Sequence, residues 1–488
     1  AMIARCLLLY LSPKGRKWSG KASVFGVTYV AYALVTAARL PYSIAKSSLR
    51  PDNPSHDNPG WRPFTDEDGQ VLLGTLDTIF MFGYAGAMPF MGAVADRTHQ
   101  PRFLSLGLLL VGIFLVLIGL ARMWDIHLYA YFAIVSFLGG CSQSIAYPCV
   151  IAVIAKWFGK SHIGFILGIW ASCTPMGTII GKFGATAALT EGWQLAFIAP
   201  GLVVMISAVL VVLLLVSDPY DVQLLRPGEA RRLAQQSEED GAPDMVQQAA
   251  SRRAMETASE EVLPLRTILS IPSMVSYCSA CFFSKLAYYA FLFWLPYYLD
   301  HALHYDKTKA GNMSTWFDWG GFTGGIIGGV LSDQLRLRGV VLLGFQTLAV
   351  PLLFLYMWLG QHDLLTDTTN QVVLFALGFT VTTPYSLITS VMSADLGRHP
   401  SLRGNSKAAA TVTAILDGTG SFGAVLQGLV IGAISEAFGW NATFAMLMAF
   451  SAFSAACLIR PSVGELRERA ANRSSSIASE NGVSLACN

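Results

Sequence analysis

The chain has 488 residues, 53% of them apolar and only 13% charged, with a formal net charge of +2. Soluble domains carry roughly 25% charged residues, so this composition excludes a typical soluble enzyme, a disordered chain and a secreted disulfide scaffold. A membrane-crossing helix needs about 20 apolar residues, and the apolar content supplies about twelve.

In chain order the apolar runs predict spans over 23–46, 71–95, 103–121, 128–154, 164–188 and 194–216. Six more follow over 273–299, 311–332, 339–360, 370–394, 408–434 and 440–459. Runs of this length without period-2 alternation are not barrel strands. The fold expected is all-α: a polytopic membrane protein of twelve transmembrane helices in two six-helix halves. The apolar piece Leu7–Leu11 is too short to span. Residues 1–22 read as a cytoplasmic N-terminal segment, 23–216 as the first half and 271–460 as the second. Between the halves, 217–270 is a polar cytoplasmic linker carrying Arg226, Arg231, Glu238, Glu239 and Arg252. The tail 461–488 is polar, Ser-rich and expected to be disordered.

Orientation follows from Lys and Arg in short loops. Alternate breaks are basic: Lys14, Arg16, Lys17 and Lys21, then Arg97 and Arg102, then Lys156 and Lys160. Arg336 and Arg338, then Arg398, Arg403 and Lys407, continue the series, whereas Glu191, Asp363 and Asp367 mark the other face. Both termini are expected in the cytoplasm of a multi-pass membrane protein; which membrane is left open. The near-neutral charge argues against a nucleic-acid partner. The eight cysteines are scattered, and Cys278-x-x-Cys281 lies in a hydrophobic run with no second pair. It reads as packing, and no metal or cofactor is expected. No nucleophile–base pair stands out, so an enzyme is not expected.

An internal repeat links the halves. The second span ends in Gly92-Ala-Val-Ala-Asp96-Arg97, the eighth in Gly329-Val-Leu-Ser-Asp333-Gln334. A glycine lets a neighbouring helix approach closely. An Asp at that end can face a helix N-terminus or an arginine. The pair reads as a cytoplasmic gating latch. It resembles the loop signature of the major facilitator superfamily, whose two halves are parallel repeats.

Ionisable residues inside spans are costly and point to function. Arg39, Asp77, Lys285, Asp318 and Asp417 lie deep, while Lys182 is read as an anchor snorkelling to the outer interface. Asp96, Asp333 and Asp395 sit at span ends as gate or cap candidates. Arg39 and Lys285 occupy the first helix of each half, about 24 and 18 Å from its cytoplasmic start. Two cations, one per half, suit a divalent anion such as phosphate. The alternative is that each simply pairs with a buried carboxylate such as Asp77 or Asp417. Tyr42, Gln143, Tyr147, Tyr288 and Tyr289 surround them as hydrogen-bonding candidates. Asp417-Gly-Thr419-Gly is read as a bend in span 11 that offers Thr419 to a cavity, with Asp417 a gate or a structural partner. Gly320 to Gly329 make span 8 a close-packing helix.

Longer strings carry a closer resemblance. They are Ala38-Arg-Leu-Pro-Tyr-Ser-Ile-Ala-Lys46, Lys156-Trp-Phe-Gly-Lys160, Gly164-Phe-Ile-Leu-Gly-Ile-Trp170 and Phe291-Leu-Phe-Trp-Leu-Pro296. Ser314-Thr-Trp-Phe-Asp-Trp-Gly-Gly321, Ser393-Ala-Asp-Leu-Gly397, Leu402-Arg-Gly-Asn-Ser-Lys407 and Thr411-Val-Thr-Ala-Ile-Leu-Asp-Gly-Thr-Gly-Ser421 complete the set. Together they resemble the sugar-phosphate/phosphate exchangers, or glycerol-3-phosphate permeases, of the organophosphate:phosphate antiporter family. The resemblance implies exchange of a phosphorylated metabolite for inorganic phosphate by a rocker-switch, by a chain active as a monomer. The family's first-helix arginine matches Arg39 and the seventh-helix cation of its eukaryotic branch matches Lys285. Departures are Leu40 for a common lysine, Tyr288 where the bacterial antiporter has an arginine, and Cys173-Thr174 near a common histidine. Two other readings are a proton-coupled symporter using Asp77, Asp318 or Asp417, and a transporter-like sensor signalling through 217–270.

Overall fold

The computed structural model describes residues 13–51, 59–158, 169–224, 266, 269–397 and 406–485. Nearly all are helical. The expected linker 217–270 and the N-terminal segment 1–22 lie mostly outside the described residues. The first span is split into α1 (Pro13–Ala37) and α2 (Leu40–Leu49). Pro41 lacks an N–H and cannot continue the helical ladder, and Arg39 sits in the resulting turn, its N–H donating to Thr36 O at 3.2 Å. α3 (Gly69–Arg97) and α4 (Gln100–Met123) follow. The fourth span breaks in the same manner into α5 (Tyr129–Gln143) and α6 (Ala146–Phe158), with Pro148 just past the turn. α7 (Cys173–Leu189) and α8 (Trp193–Leu214) complete the first half.

The second half contains α9 (Met274–His301), α10 (Lys307–Leu335), α11 (Arg338–Gln361) and α12 (Asp367–Leu387). A π-turn at Ile388–Met392 leads from α12 into the short α13 (Ser393–Leu396). The last helix, α14 (Ser406–Leu485), turns at Gly439 (φ 77°), where a side chain would be strained, and so makes the eleventh and twelfth crossings. Among the described residues nine helical stretches are long and apolar enough to cross a membrane. One of the nine is α14 beyond Ala414, which crosses twice. α10 is long but polar, and α7 adjoins 159–168, which lie outside the described residues. Twelve crossings result.

Packing repeats between the halves. Spans two and four (α3 on α5) correspond to eight and ten (α10 on α12); three and six (α4 on α8) correspond to nine and twelve (α11 on α14). Within the second half, α10 meets α12 through small residues. A Cβ on Gly320 would lie 1.9 Å from Phe375 O, and one on Gly378 1.8 Å from Phe317 O. Gly325 and Gly329 of the same run face open space.

The halves touch through α2 on α9, α3 on α14 and α7 on α10. The first span thus meets the other half through α2, while α1 packs on α6, α7 and α8 of its own half. Closure lies at the face opposite the start of α1. There Gly74 of α3 and Gly428 of α14 abut, so that a Cβ on either would lie 2.2 Å from the other's carbonyl oxygen. Pro296 cannot donate to Leu292 O, and that carbonyl accepts from Ser43 Oγ of α2 at 2.9 Å. Lys46 Nζ donates to Phe293 O at 3.1 Å, and Arg50 pairs with Glu436 at 3.0 Å. Beside this seam an open cleft of about 400 Å³ is lined by Arg50, Gln70, Tyr297, His301, Ser435 and Trp440.

Three expectations need correction. The tail from 461 is helical through Leu485 rather than disordered. Glu465 in it accepts from the N–H of Gly339 at 2.8 Å, satisfying an open donor at the start of α11, and Arg469 donates to Leu335 O at 3.2 Å. Asp417-Gly-Thr419-Gly does not bend span 11; the helix runs through, and Thr419 Oγ1 donates back to Ile415 O at 2.7 Å. Gly92 and Gly329 show no close helix approach: a Cβ on Gly92 would meet only Pro148, at 4.0 Å, and one on Gly329 nothing within 4 Å. Both lie toward the helix ends opposite the Gly74–Gly428 seam.

Candidate functional site

The centre of the bundle is built where the proline breaks fall. Arg39, in the turn before Pro41, is 5% exposed. Its Nε donates to Gln143 Oε1 at 2.7 Å, at the matching break of the fourth span. Its Nη1 donates to the hydroxyl of Tyr289 on α9 at 3.1 Å, joining the halves. The Tyr84 ring lies beneath the guanidinium, 4.5 Å from its carbon, a cation–π contact. Nη2 is buried without a hydrogen-bond partner, and among the described residues no carboxylate pairs with Arg39. A guanidinium away from water needs a counter-charge, and this one presents an open donor.

Lys285, one turn before Tyr289, is 6% exposed. Its Nζ reaches Asp417 Oδ1 at 2.7 Å and Ser421 Oγ at 3.2 Å. Structural pairing, the alternative left open from sequence, is thus what this conformation holds. Tyr288 is buried against Tyr385, ring centroids 4.5 Å apart. The Tyr147 ring lies tilted against that of Tyr32, centroids 5.8 Å apart.

Two other carboxylates are absorbed by lysines. Asp77 pairs with Lys46 at 2.5 Å, both 1% exposed. Tyr42 lines a small cavity of about 20 Å³ beside that pair, packed on Phe80 and Phe197, rather than joining Arg39. Asp318 pairs with Lys182 at 2.6 Å, at 1% and 0% exposure. Lys182 therefore does not snorkel. It points inward across the α7–α10 contact, where a carboxylate compensates its charge better than a partly dry interface would. At the helix ends opposite the seam, Arg338 pairs with Asp395 and lies 3.6 Å from Asp333. Arg97 is exposed and Asp96 is helical.

The structure brings Arg39, Gln143 and Tyr289 into direct contact, with Tyr147, Tyr288, Lys285 and Asp417 close by. It leaves Tyr42, Asp77, Asp318 and Thr419 outside that cluster. Sequence reasoning missed Lys46, Tyr84, Tyr385 and Ser421. Lys46 follows Arg39 by seven residues and Tyr84 follows Asp77 by seven, a helical same-face spacing that carries the signal.

Comparison with known proteins agrees with this architecture. The Major Facilitator Superfamily family model matches residues 63–411 and 277–484. The chain is 38% identical over 457 residues to glucose-6-phosphate exchanger SLC37A2 of Mus musculus, covering 89% of this chain and 90% of that protein. It is 37% identical over 456 residues to putative glycerol-3-phosphate transporter 2 of Arabidopsis thaliana, covering 92% and 87%. In fold it is similar to a bacterial homolog of the human lysosomal transporter Spinster, solved inward-facing and unoccupied. That match has a TM-score of 0.60 and 16% identity, over 91% of this chain and 94% of the other. With twelve crossings in two repeated halves and these relatives along nearly its whole length, the chain belongs to the major facilitator superfamily, in its organophosphate:phosphate antiporter-like branch.

Proposed function

We propose that the protein exchanges a phosphorylated metabolite, a hexose phosphate or glycerol-3-phosphate, for inorganic phosphate across a membrane. The observation that carries this reading is the buried Arg39 guanidinium, which has no carboxylate partner among the described residues and an open Nη2 donor. A phosphate oxygen there makes a charge-assisted hydrogen bond. The names of the relatives, glucose-6-phosphate exchanger and putative glycerol-3-phosphate transporter, support the substrate class.

The coupling follows from charge. A cation sealed in a dry cavity without a counter-charge costs several kcal/mol. Bound phosphate neutralises Arg39 and lowers the cost of occlusion. Any phosphate species does so, and the return trip therefore favours exchange over empty reorientation. Lys285 is the second cation in reach; phosphate competes for it with Asp417. The basic loops put the face where α1 begins in the cytoplasm, so the seam at Gly74 and Gly428 closes the opposite side. Rocking the halves about the site would open that seam and close the cytoplasmic face. One chain carries both halves, which suits action as a monomer. A proton-symport reading is less well supported, since Asp77, Asp318 and Asp417 each have a lysine partner.

Counterflow in proteoliposomes tests the proposal. Vesicles preloaded with phosphate should take up labelled phosphate, glucose-6-phosphate or glycerol-3-phosphate without a pH gradient. Arg39→Ala should cut that exchange at least about tenfold. Near wild-type exchange by Arg39→Ala would sink the idea.

A further inference from the structure

His301 ends α9 beside the closed seam, far along the helix from Lys285 and Tyr289, and takes no part in the phosphate site. Its side chain is only 7% exposed, yet it lines the open cleft next to the seam. Nε2 lies 2.9 Å from the backbone carbonyl oxygen of Arg50, at the end of α2 in the other half. Nδ1 lies 3.3 Å from Asp300 Oδ2. A carbonyl and an ionised carboxylate can only accept. A neutral imidazole carries a single N–H, serves one of them and turns a lone pair toward the other; an imidazolium serves both. The Tyr297 ring is stacked on the imidazole, centroids 3.7 Å apart, a placement that also favours the cation.

The charges around the ring come from four helices. Asp300 shares α9 with it. Lys307, at the start of α10, is in electrostatic reach of Asp300 and Asp306. Arg50 of the first half pairs with Glu436 of α14 at 3.0 Å. Among the described residues Arg50 and Lys307 thus stand against Asp300, Asp306 and Glu436, a balance that does not oppose a positive ring. The two acceptors in direct contact then decide its preferred form.

The two acceptors behave differently when the seam opens. Asp300 is the chain neighbour of His301 and stays with it, whereas the Arg50 carbonyl belongs to the other half and is drawn away. A proton on His301 therefore has two acceptors with the seam closed and one with it open. We infer that His301 is a proton-binding site that locks this seam: acid holds the seam shut, and alkali releases it. A ligand shifts an equilibrium only by its difference in affinity for the two states. One hydrogen bond from a charged donor makes that difference about tenfold. The inference goes beyond the exchange reading and applies whichever solute is carried.

The test reads seam opening directly. Ser435 is buried and follows Gly428 by seven residues, so it lies on the same face of α14 and is covered while the seam is closed. Ser435→Cys is labelled with a membrane-impermeant maleimide in proteoliposomes without substrate, at equal pH on both sides, across the imidazole range from about pH 8 to about pH 5.5. The same series is run with His301→Gln, which keeps an N–H donor toward the Arg50 carbonyl but does not titrate. Dividing the first rate by the second cancels the pH dependence of the thiol itself. That ratio should fall about five- to tenfold toward acid. Asp300→Asn, which removes the carboxylate acceptor, should flatten the fall. A merely structural His301 changes labelling by one factor at every pH; a ratio that does not move, or that rises toward acid, overturns the inference. If Ser435→Cys does not reconstitute, the phosphate exchange rate of the wild type divided by that of His301→Gln at each pH gives the same reading. Wild-type vesicles that exchange no phosphate would remove the exchange reading and leave this one to the labelling ratio.

Discussion

Among the described residues four basic side chains, Arg39, Lys46, Lys182 and Lys285, are buried in the bundle, and they differ in their partners. Lys46, Lys182 and Lys285 each hold an aspartate within 2.7 Å, whereas among the described residues Arg39 hydrogen-bonds a glutamine and a tyrosine, lies over the Tyr84 ring, and has no carboxylate. Desolvating a charge demands compensation; the lysines find it in aspartates, and in the exchange proposed above a phosphate supplies it to Arg39. The Lys182–Asp318 pair differs from the other two because its members belong to different halves. Lys182→Met should destabilise the protein by about 3–5 kcal/mol, since Asp318 is left buried without its partner. The double variant Lys182→Met/Asp318→Leu should recover most of that loss. Thermal unfolding in detergent reads both; equal melting of single and double variants would show that the pair does not govern stability. The guanidinium geometry gives a second prediction at this scale. Arg39→Lys keeps the charge but loses the fork that engages Gln143 and Tyr289 together. Phosphate exchange should therefore fall by about tenfold or more, measured by counterflow.

At the scale of elements, prolines and glycines set where helices break and where they touch. Pro41 and Pro148 break the first and fourth spans where Arg39 and Gln143 meet. Pro296 frees a carbonyl that Ser43 of the other half occupies. Gly74 and Gly428 let α3 and α14 touch along their backbones. Gly74→Val would place its side chain against the Gly428 carbonyl and prise the seam open. In that background a cysteine introduced as Gln70→Cys, beside the outer cleft, should react severalfold faster with a membrane-impermeant thiol reagent. Unchanged labelling would mean that this contact does not seal the bundle. Gly320→Val acts within one half, against the Phe375 carbonyl, and should impair folding instead.

For the whole molecule, ligand binding and stability are linked. A ligand that binds the folded state stabilises it by about 2.7 kcal/mol at a concentration of 100 Kd. Phosphate should therefore raise the melting temperature of the purified wild-type protein and leave that of Arg39→Ala unmoved. A shift of equal size in the variant would place phosphate elsewhere. The packing of the two halves gives this linkage its route, since Arg39 of one half is tied to Tyr289 of the other. A ligand on Arg39 therefore bears on both.

Much was legible in the order of residues alone. Length, apolar runs and basic loops give twelve crossings and a repeat, because the cost of exposing backbone and charge to lipid is local and depends on composition. Arg39 and Lys285 stood out for the same reason. What the sequence could not specify was pairing. Asp417 with Lys285, Asp77 with Lys46 and Asp318 with Lys182 are contacts between helices distant in the chain. Lys182 looked like an interfacial anchor until the fold set Asp318 against it. Tyr42 reads as a hydrogen-bonding neighbour of Arg39 and Thr419 as a cavity residue, but Tyr42 packs on Phe80 and Phe197 and Thr419 donates to Ile415 O. The sequence by itself determined how often the chain crosses and where its charges are placed. Only the tertiary structure decided which buried cation lacks a carboxylate among the described residues, because neutralisation depends on which helices meet.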